Sequence, residues 1–275
     1  MEWGVVGSIL KVVLAVAIGV PLAVYFLQDR MIFYPQPQSE AQRSLIAQRF
    51  ASAESLFIRA ADGTRLHAWH LKAAPAQSPH TPRVLYFGGN AEDVSWMLAE
   101  ATQHAPGTGW LLVDYRGYGS SEGVPSEAAL TADGLLWHDY AKEKLGWQDI
   151  VIFARSLGTG VAVQIAAARP VAGLILVAPF DSLTEVARHH YPFLPVGWML
   201  KHPFESAQRA PGIAAPLLCL VAEHDEIIPV VHSKRLYDAW KGPKRWVALR
   251  GAGHNSTDES PAFWGAIKGF LVQPD

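Results

Sequence analysis

Ser156 stands in the run Ala154-Arg155-Ser156-Leu157-Gly158, between the apolar stretch Ile150-Val151-Ile152-Phe153 and the small residues Thr159-Gly160-Val161-Ala162-Val163. This pattern predicts a strand, a tight turn and a helix, with the serine at the tip of the turn. A hydroxyl placed there is pushed into the open at a helix N-terminus, which suits a nucleophile. The run is close to G-x-S-x-G, with Ala154, the next smallest residue, where the first glycine usually stands. The plain alternative is a helix-capping serine in an ordinary strand-to-helix turn. Five residues alone do not separate the two readings, because so short a motif recurs by chance.

A serine nucleophile needs a base and a group that orients the base. Two later loops offer them. The apolar run Leu217 to Val221 ends in Ala222-Glu223-His224-Asp225-Glu226-Ile227-Ile228-Pro229, and Trp246 to Leu249 ends in Arg250-Gly251-Ala252-Gly253-His254-Asn255-Ser256. Both loops follow predicted strands, so both are expected at the same sheet edge as Ser156, where open parallel sheets bind ligands. His254 combines a post-strand loop with glycines on its N-terminal side. His67 and His70 lie in a predicted hairpin, His138 in a helix, and His224 and His232 flank the acid loop. Among Glu223, Asp225 and Glu226, Asp225 is the preferred acid, because Ile227, Ile228 and Pro229 suggest a turn that follows it. Capping of the next helix stays open for Glu226.

Acyl chemistry also needs donors for an oxyanion. Val84-Leu85-Tyr86-Phe87 is followed by Gly88-Gly89-Asn90-Ala91, where glycines let backbone amides face a substrate. The amides of Asn90 and Leu157 are the expected pair. A phosphate-binding loop is the weaker alternative, since Gly88-Gly89 lacks dinucleotide or Walker spacing.

The elements that must hold these groups alternate along the chain. Strands are expected at Ser55–Ala60 and Leu66–Leu71 as an antiparallel hairpin around Ala61-Asp62-Gly63-Thr64. A loop follows over Ala73–Pro82. Beyond it come apolar runs at Val84–Phe87, Trp110–Val113, Ile150–Phe153, Gly173–Val177, Leu217–Val221 and Trp246–Leu249, of the kind buried on both faces of a parallel sheet. Helices fit near residues 91–104, 126–144, 157–168, 231–240 and 260–271. The result is a doubly wound, mostly parallel α/β sheet. The interval of about 181–215 has no clean strand–helix unit and reads as a small helical cap over the strand ends. Its Phe193, Trp198 and Met199 would either line an acyl pocket or pack beneath the cap. The neighbouring His189 and His190 point to different sides and lack a third ligand, so no metal is expected there.

The chain has 275 residues, a net charge of −2 and one cysteine. No basic stripe marks a nucleic-acid partner, and Cys219 within its apolar run reads as a buried thiol. Trp3 to Leu27 is apolar except for Ser8 and Lys11. Three readings compete: a cleaved signal peptide, a core helix and an uncleaved membrane anchor. The first lacks early positive charge and a small-x-small site, and the run is long and apolar on all faces. The anchor is preferred, its orientation left open by Lys11 on one side and Arg30, Arg43 and Arg49 on the other. The expected organisation is an anchor over 1–29 and a catalytic domain over 30–275, joined by the connector Tyr34–Ser39.

Phe87-Gly88-Gly89-Asn90-Ala91, the Val113–Gly123 run, Arg155-Ser156-Leu157-Gly158, the Asp225 loop and Gly253-His254-Asn255 together resemble the membrane-anchored α/β-hydrolase-domain proteins, which include eukaryotic protein depalmitoylases and bacterial relatives. The order Ser156, Asp225, His254 is that of the α/β-hydrolase fold. Gly88 departs from the His of many relatives and Ala154 from the usual Gly; neither replaces a catalytic side chain. The resemblance implies a serine hydrolase of esters or thioesters, with Ser156, Asp225 and His254 as its triad and no cofactor or metal. The expected partners are a small-molecule, acyl-lipid or acyl-protein substrate and a membrane. Acyl transfer on the same triad and a catalytically silent binding protein are the alternatives. Asp114 and Arg116 are expected to be structural.

Overall fold

The computed structural model describes residues 2–73 and 83–272. It opens with a long helix, α1 (Glu2–Ile32). Its stretch Val6–Ile32 is long and apolar enough to cross a membrane. At 1.5 Å per residue it reaches about 40 Å, against about 30 Å for a hydrocarbon core. The apolar window of α1 is not buried against the body, which is not how a core helix packs. Helix α2 (Glu40–Arg49) follows. It begins at a capping box, in which Ser39 and Gln42 each bond the other's backbone amide.

β1 (Ala53–Arg59) and β2 (Arg65–Leu71) form the expected antiparallel hairpin. The loop expected at 73–82 lies, beyond Ala73, outside the described residues. Strands and helices then alternate: β3 (Arg83–Phe87), α3 (Met97–His104), β4 (Gly109–Val113), α4 (Glu127–Glu143), β5 (Ile150–Arg155), α5 (Leu157–Ala168) and β6 (Gly173–Val177). Between β6 and β7 (Leu217–Ala222) lie three short helices, α6 (Leu183–His190), α7 (Val196–Met199) and α8 (Ser206–Arg209). Helix α9 (Val230–Ala239), β8 (Lys244–Leu249) and α10 (Ala262–Val272) complete the described chain. Helix α3 starts later than expected, because Gly88–Asp93 are taken up by the turn that follows β3.

The eight described strands form one sheet in the order β1-β2-β4-β3-β5-β6-β7-β8, in which β2 runs antiparallel to both of its neighbours, β1 and β4, and the remaining pairs are parallel. Strand β3 pairs with β4 on one side and β5 on the other. The winding direction therefore reverses at β3, and a crevice opens at the carboxyl ends of β3 and β5, the position where such sheets bind ligands.

Period-two alternation sends successive residues of each strand into different cores. Leu85, Phe87, Ile152, Ala154, Leu174 and Leu176 face a cluster shared with α4, α5 and α9. Val84, Tyr86, Val151, Phe153, Ile175 and Val177 face a second cluster with α3 and α10. Cys219 is fully buried in the first, and burial pushes its thiol well up from the ordinary range. The expectation of burial on both faces fails only at β8, the sheet's outer strand, where Arg245 and Ala248 are exposed.

The turn after β4 is held by charge. Arg116 donates from Nε and Nη2 to Asp133 on α4 at 2.6 and 2.9 Å, and a further nitrogen meets Asp62. Arg116 and Asp133 are both largely shielded, and removing one member of such a pair strands the other charge. Arg116→Ala is expected to cost about 3–5 kcal/mol, a large share of a domain's ~5–15 kcal/mol. Urea unfolding in detergent checks this; a loss under ~1 kcal/mol would match an exposed surface pair instead.

Candidate active site

The turn between β5 and α5 places Ser156 at φ +47°, ψ −117°, a backbone region that L residues rarely occupy. Its amide donates to the Val177 carbonyl at 2.9 Å and its carbonyl accepts from Thr159 Oγ1 at 2.7 Å, so the strained residue is fixed from both sides. Gly158 explains how α5 can start here. A Cβ at Gly158 would collide with the Phe87 and Gly88 carbonyls and with the Tyr115 hydroxyl. The helix start therefore packs directly against the loop that follows β3. Ala154 is fully buried at the end of β5 with its methyl accommodated, so the missing first glycine leaves the turn intact.

The structure brings together the three predicted side chains. His254 Nε2 lies 2.9 Å from Ser156 Oγ, and its Nδ1 lies 2.9 and 2.8 Å from the two oxygens of Asp225. A carboxylate only accepts, so Nδ1 carries the proton and Nε2 accepts from the serine hydroxyl. The Asp225 side chain is 1% exposed. Its Oδ1 also accepts from the amides of Ile227 and Ile228 at 3.0 and 2.7 Å, which is the turn that Ile227-Ile228-Pro229 suggested. Glu223 is exposed and accepts from the Gly251 amide, and Glu226 is exposed and makes no cap on α9. His224 is exposed, and His232 is buried against Asp181.

A cavity of about 320 Å³ reaches Ser156 and His254, lined also by Asn90, Val177, Ala178 and Ile227. Its size is at the lower end of small-molecule pockets, about 300–1,000 Å³. Phe193 and Trp198 do not line it. They are exposed on the outside of the cap, which corrects both sequence expectations for them.

Sequence reasoning missed Glu92. Its carboxylate accepts from the Tyr86 hydroxyl, from Trp96 Nε1 at 2.8 Å and from the Gly89 amide at 2.6 Å. Burial pushes the Tyr86 hydroxyl well above its ordinary range, so it remains a neutral donor. Glu92 also fills the space beside Gly88, where a Cβ would approach Val94 and Glu92 within 3.0 Å. A side chain at position 88 would therefore press on Val94 and Glu92. The Asn90 side-chain oxygen accepts from Tyr118 Oη at 2.8 Å and from the Tyr34 amide at 2.9 Å. Burial pushes the Tyr118 hydroxyl up to about 12. The Asn90 amide has no protein acceptor among the described residues, and Leu157, first in α5, has no preceding turn to donate to. Both are free to meet an oxyanion. Arg155 reaches Thr257 Oγ1 at 3.1 Å and so ties the serine turn to the segment after His254.

A second Ser-His-Asp contact exists. His67 Nε2 lies 2.8 Å from Ser55 Oγ and its Nδ1 2.6 Å from Asp114. Here the serine stands in the regular β1–β2 ladder opposite Trp69, without a strained turn. Asp114 also accepts from the Ser120 amide at 2.9 Å. The cluster holds the turn after β4, as expected of Asp114.

The sequence profile of the α/β-hydrolase fold matches residues 82–205. The uncharacterized protein Rv2307c of Mycobacterium tuberculosis is 37% identical over 96% of this chain and 94% of its own length. An uncharacterized membrane protein of Saccharomyces cerevisiae, YNL320W, is 28% identical over 90% of each chain. The lysophosphatidylserine lipase ABHD12 of Danio rerio is 33% identical over 62% of this chain and 49% of its own. Among solved structures, an α/β-hydrolase from Vibrio vulnificus superposes with a TM-score of 0.67 at 20% identity, covering 86% of this chain and 87% of that one.

Proposed function

The chain belongs to the α/β-hydrolase family, and on that premise we propose that it is a serine hydrolase of carboxylic ester or thioester bonds in lipid-like acyl substrates at a membrane. The observation that carries the reading is the continuous relay from Ser156 Oγ through His254 to buried Asp225, beside a loop with free amides.

In this reading Ser156 Oγ attacks the acyl carbonyl while His254 Nε2 takes its proton. Asp225 holds the imidazole in the required tautomer and stabilises its charged form. The amides of Asn90 and Leu157 receive the developing oxyanion. The intermediate collapses, His254 returns the proton to the leaving alcohol or thiol, and an acyl-serine remains. Water, deprotonated by His254, then releases the acid and restores Ser156. A lipid-like substrate is supported by the lysophosphatidylserine lipase among the relatives, by apolar Val177, Ala178 and Ile227 around the serine, and by α1, read as the anchor.

The test is labelling by a fluorophosphonate probe together with hydrolysis of esters, thioesters and lysophospholipids of graded chain length. The wild-type protein should label and favour longer acyl groups. Labelling that survives Ser156→Ala would sink the triad, and activity confined to acetyl esters would sink the lipid-like substrate.

A further inference from the structure

The cap turns its aromatic side chains outward. Trp198 is 95% exposed, Phe193 75% and Tyr191 44%, although Trp69, Trp110, Trp137 and Trp240 are buried in the same chain. Clustered exposure of this kind marks a surface meant for an apolar partner.

The place of these residues names the partner. Gln28 Nε2 donates to the Met199 carbonyl at 3.0 Å, and its Oε1 accepts from the Lys201 amide at 2.8 Å. Asp29 meets His202 at 3.0 Å and Lys201 at 3.3 Å. Lys201 Nζ lies 4.9 Å from the Tyr25 ring centroid. Gln28 is the first residue past the apolar run of α1, so these bonds join the cap to the helix where its apolar surface ends. Trp198, covalently next to Met199, is held at that level. Tyr25 lies one turn earlier, inside the end of the apolar run. Tryptophan and tyrosine prefer this boundary between hydrocarbon and headgroups, and a lysine there extends its charge toward water.

The other end of the aromatic stretch reaches the active site. His190 Nε2 lies 2.9 Å from the Ile227 carbonyl, and Ile227 is on the cavity rim. We infer that residues 191–198 form a collar seated in the surface of the bilayer that α1 crosses, so that acyl substrates reach Ser156 from the lipid phase. The inference rests on reading α1 as a membrane span. The occupant is lipid because the cap is bonded to α1 where the exposed apolar surface of the helix ends, with Phe26 71% exposed two residues before Gln28.

The test uses the full chain in phosphatidylcholine vesicles, with an environment-sensitive fluorophore on Phe193→Cys, Trp198→Cys, Leu14→Cys or Glu143→Cys; Cys219 is buried and does not label. Leu14 lies within α1, and Glu143 at the end of α4 near the opposite sheet edge. Doxyl groups placed shallow in the lipid should quench positions 193 and 198, deep ones should quench 14, and 143 should be unaffected. Quenching at 14 with 193 and 198 as unquenched as 143 would overturn the collar and leave the span standing. An unquenched position 14 would remove the span itself; quenching at 193 and 198 would then support surface seating alone, and its absence would overturn the collar too. In addition, Phe193→Asp with Trp198→Asp should lower turnover of vesicle-borne esters by about tenfold or more and leave a soluble short-chain ester unchanged. Equal loss on both substrates, or loss on neither, would overturn the route from lipid.

Discussion

Ser156→Ala is expected to lower kcat by about 10⁶-fold, and His254→Ala by a similar factor. Combining the two should add little, because the proposed nucleophile and base would act as one unit across a 2.9 Å contact. Asp225→Asn is expected to cost about 10⁴-fold, for a reason visible in the geometry. The asparagine oxygen can still accept from the Ile227 and Ile228 amides, so the loop should keep its shape. Its NH₂ would then face His254 Nδ1 and force the opposite tautomer, with Nε2 protonated and unable to accept from Ser156. Circular dichroism and thermal unfolding should therefore match wild type while turnover collapses. Steady-state kinetics on a short ester reads the effect. A loss under about tenfold for Asp225→Asn would mean that the imidazole is oriented by something else. Unchanged turnover in Ser156→Ala would exclude the nucleophile assignment. Ser55, with its own His67 and Asp114, provides the internal control: Ser55→Ala should leave kcat unchanged.

The placement of Ser156, Asp225 and His254 was legible because three separate loops each follow a buried apolar run. Strand ends of a parallel sheet converge on one edge, so local patterns were enough to imply a distant meeting. The hairpin and the central strands were legible for the same reason, being alternations or runs with clear turn residues between them. What escaped the sequence reading depends on direction or on long-range partners. The apolar run at β8 does not reveal that it lies at the sheet's outer edge, where one side is uncovered. Aromatics at 191–198 announce burial by type, and only the path of the cap shows that Trp198 points outward. The bond from Gln28 to Met199 joins residues 171 positions apart and leaves no periodic trace. Helix α2 did carry a local signal, Ser39 with Gln42 three residues on, and could have been read from it. Glu92 lies between these cases: its place three residues after Gly89 is visible, but the Tyr86 and Trp96 donors that give the carboxylate its role are brought to it by the fold.

Glu92→Gln should separate two opposed effects and so test what that carboxylate does. A negative charge near a developing oxyanion is unfavourable, and on Coulomb grounds alone its removal should speed the reaction. The charge, however, is already met by three donors and lies in the field of the largely shielded Arg155. Its remaining influence on the oxyanion is therefore small compared with its hold on the loop. Glutamine keeps the volume but replaces one acceptor with a donor. If its oxygen serves Tyr86 and Trp96, its NH₂ opposes the Gly89 amide; if flipped, it opposes Trp96. Either way one buried donor loses its partner, at a cost of about 1–3 kcal/mol. The Gly89–Asn90 turn then shifts, and a displaced oxyanion donor costs about 10²–10³ in kcat. The expected result is kcat reduced by about 10²-fold with KM changed little, and slower fluorophosphonate labelling at unchanged stoichiometry. Glu92→Ala should lose more thermal stability, because it strands all three donors and empties the space beside Gly88. A Glu92→Gln enzyme as fast as wild type, or faster, would mean that the charge outweighs the loop, and that the Gly88–Asn90 turn holds its shape without it.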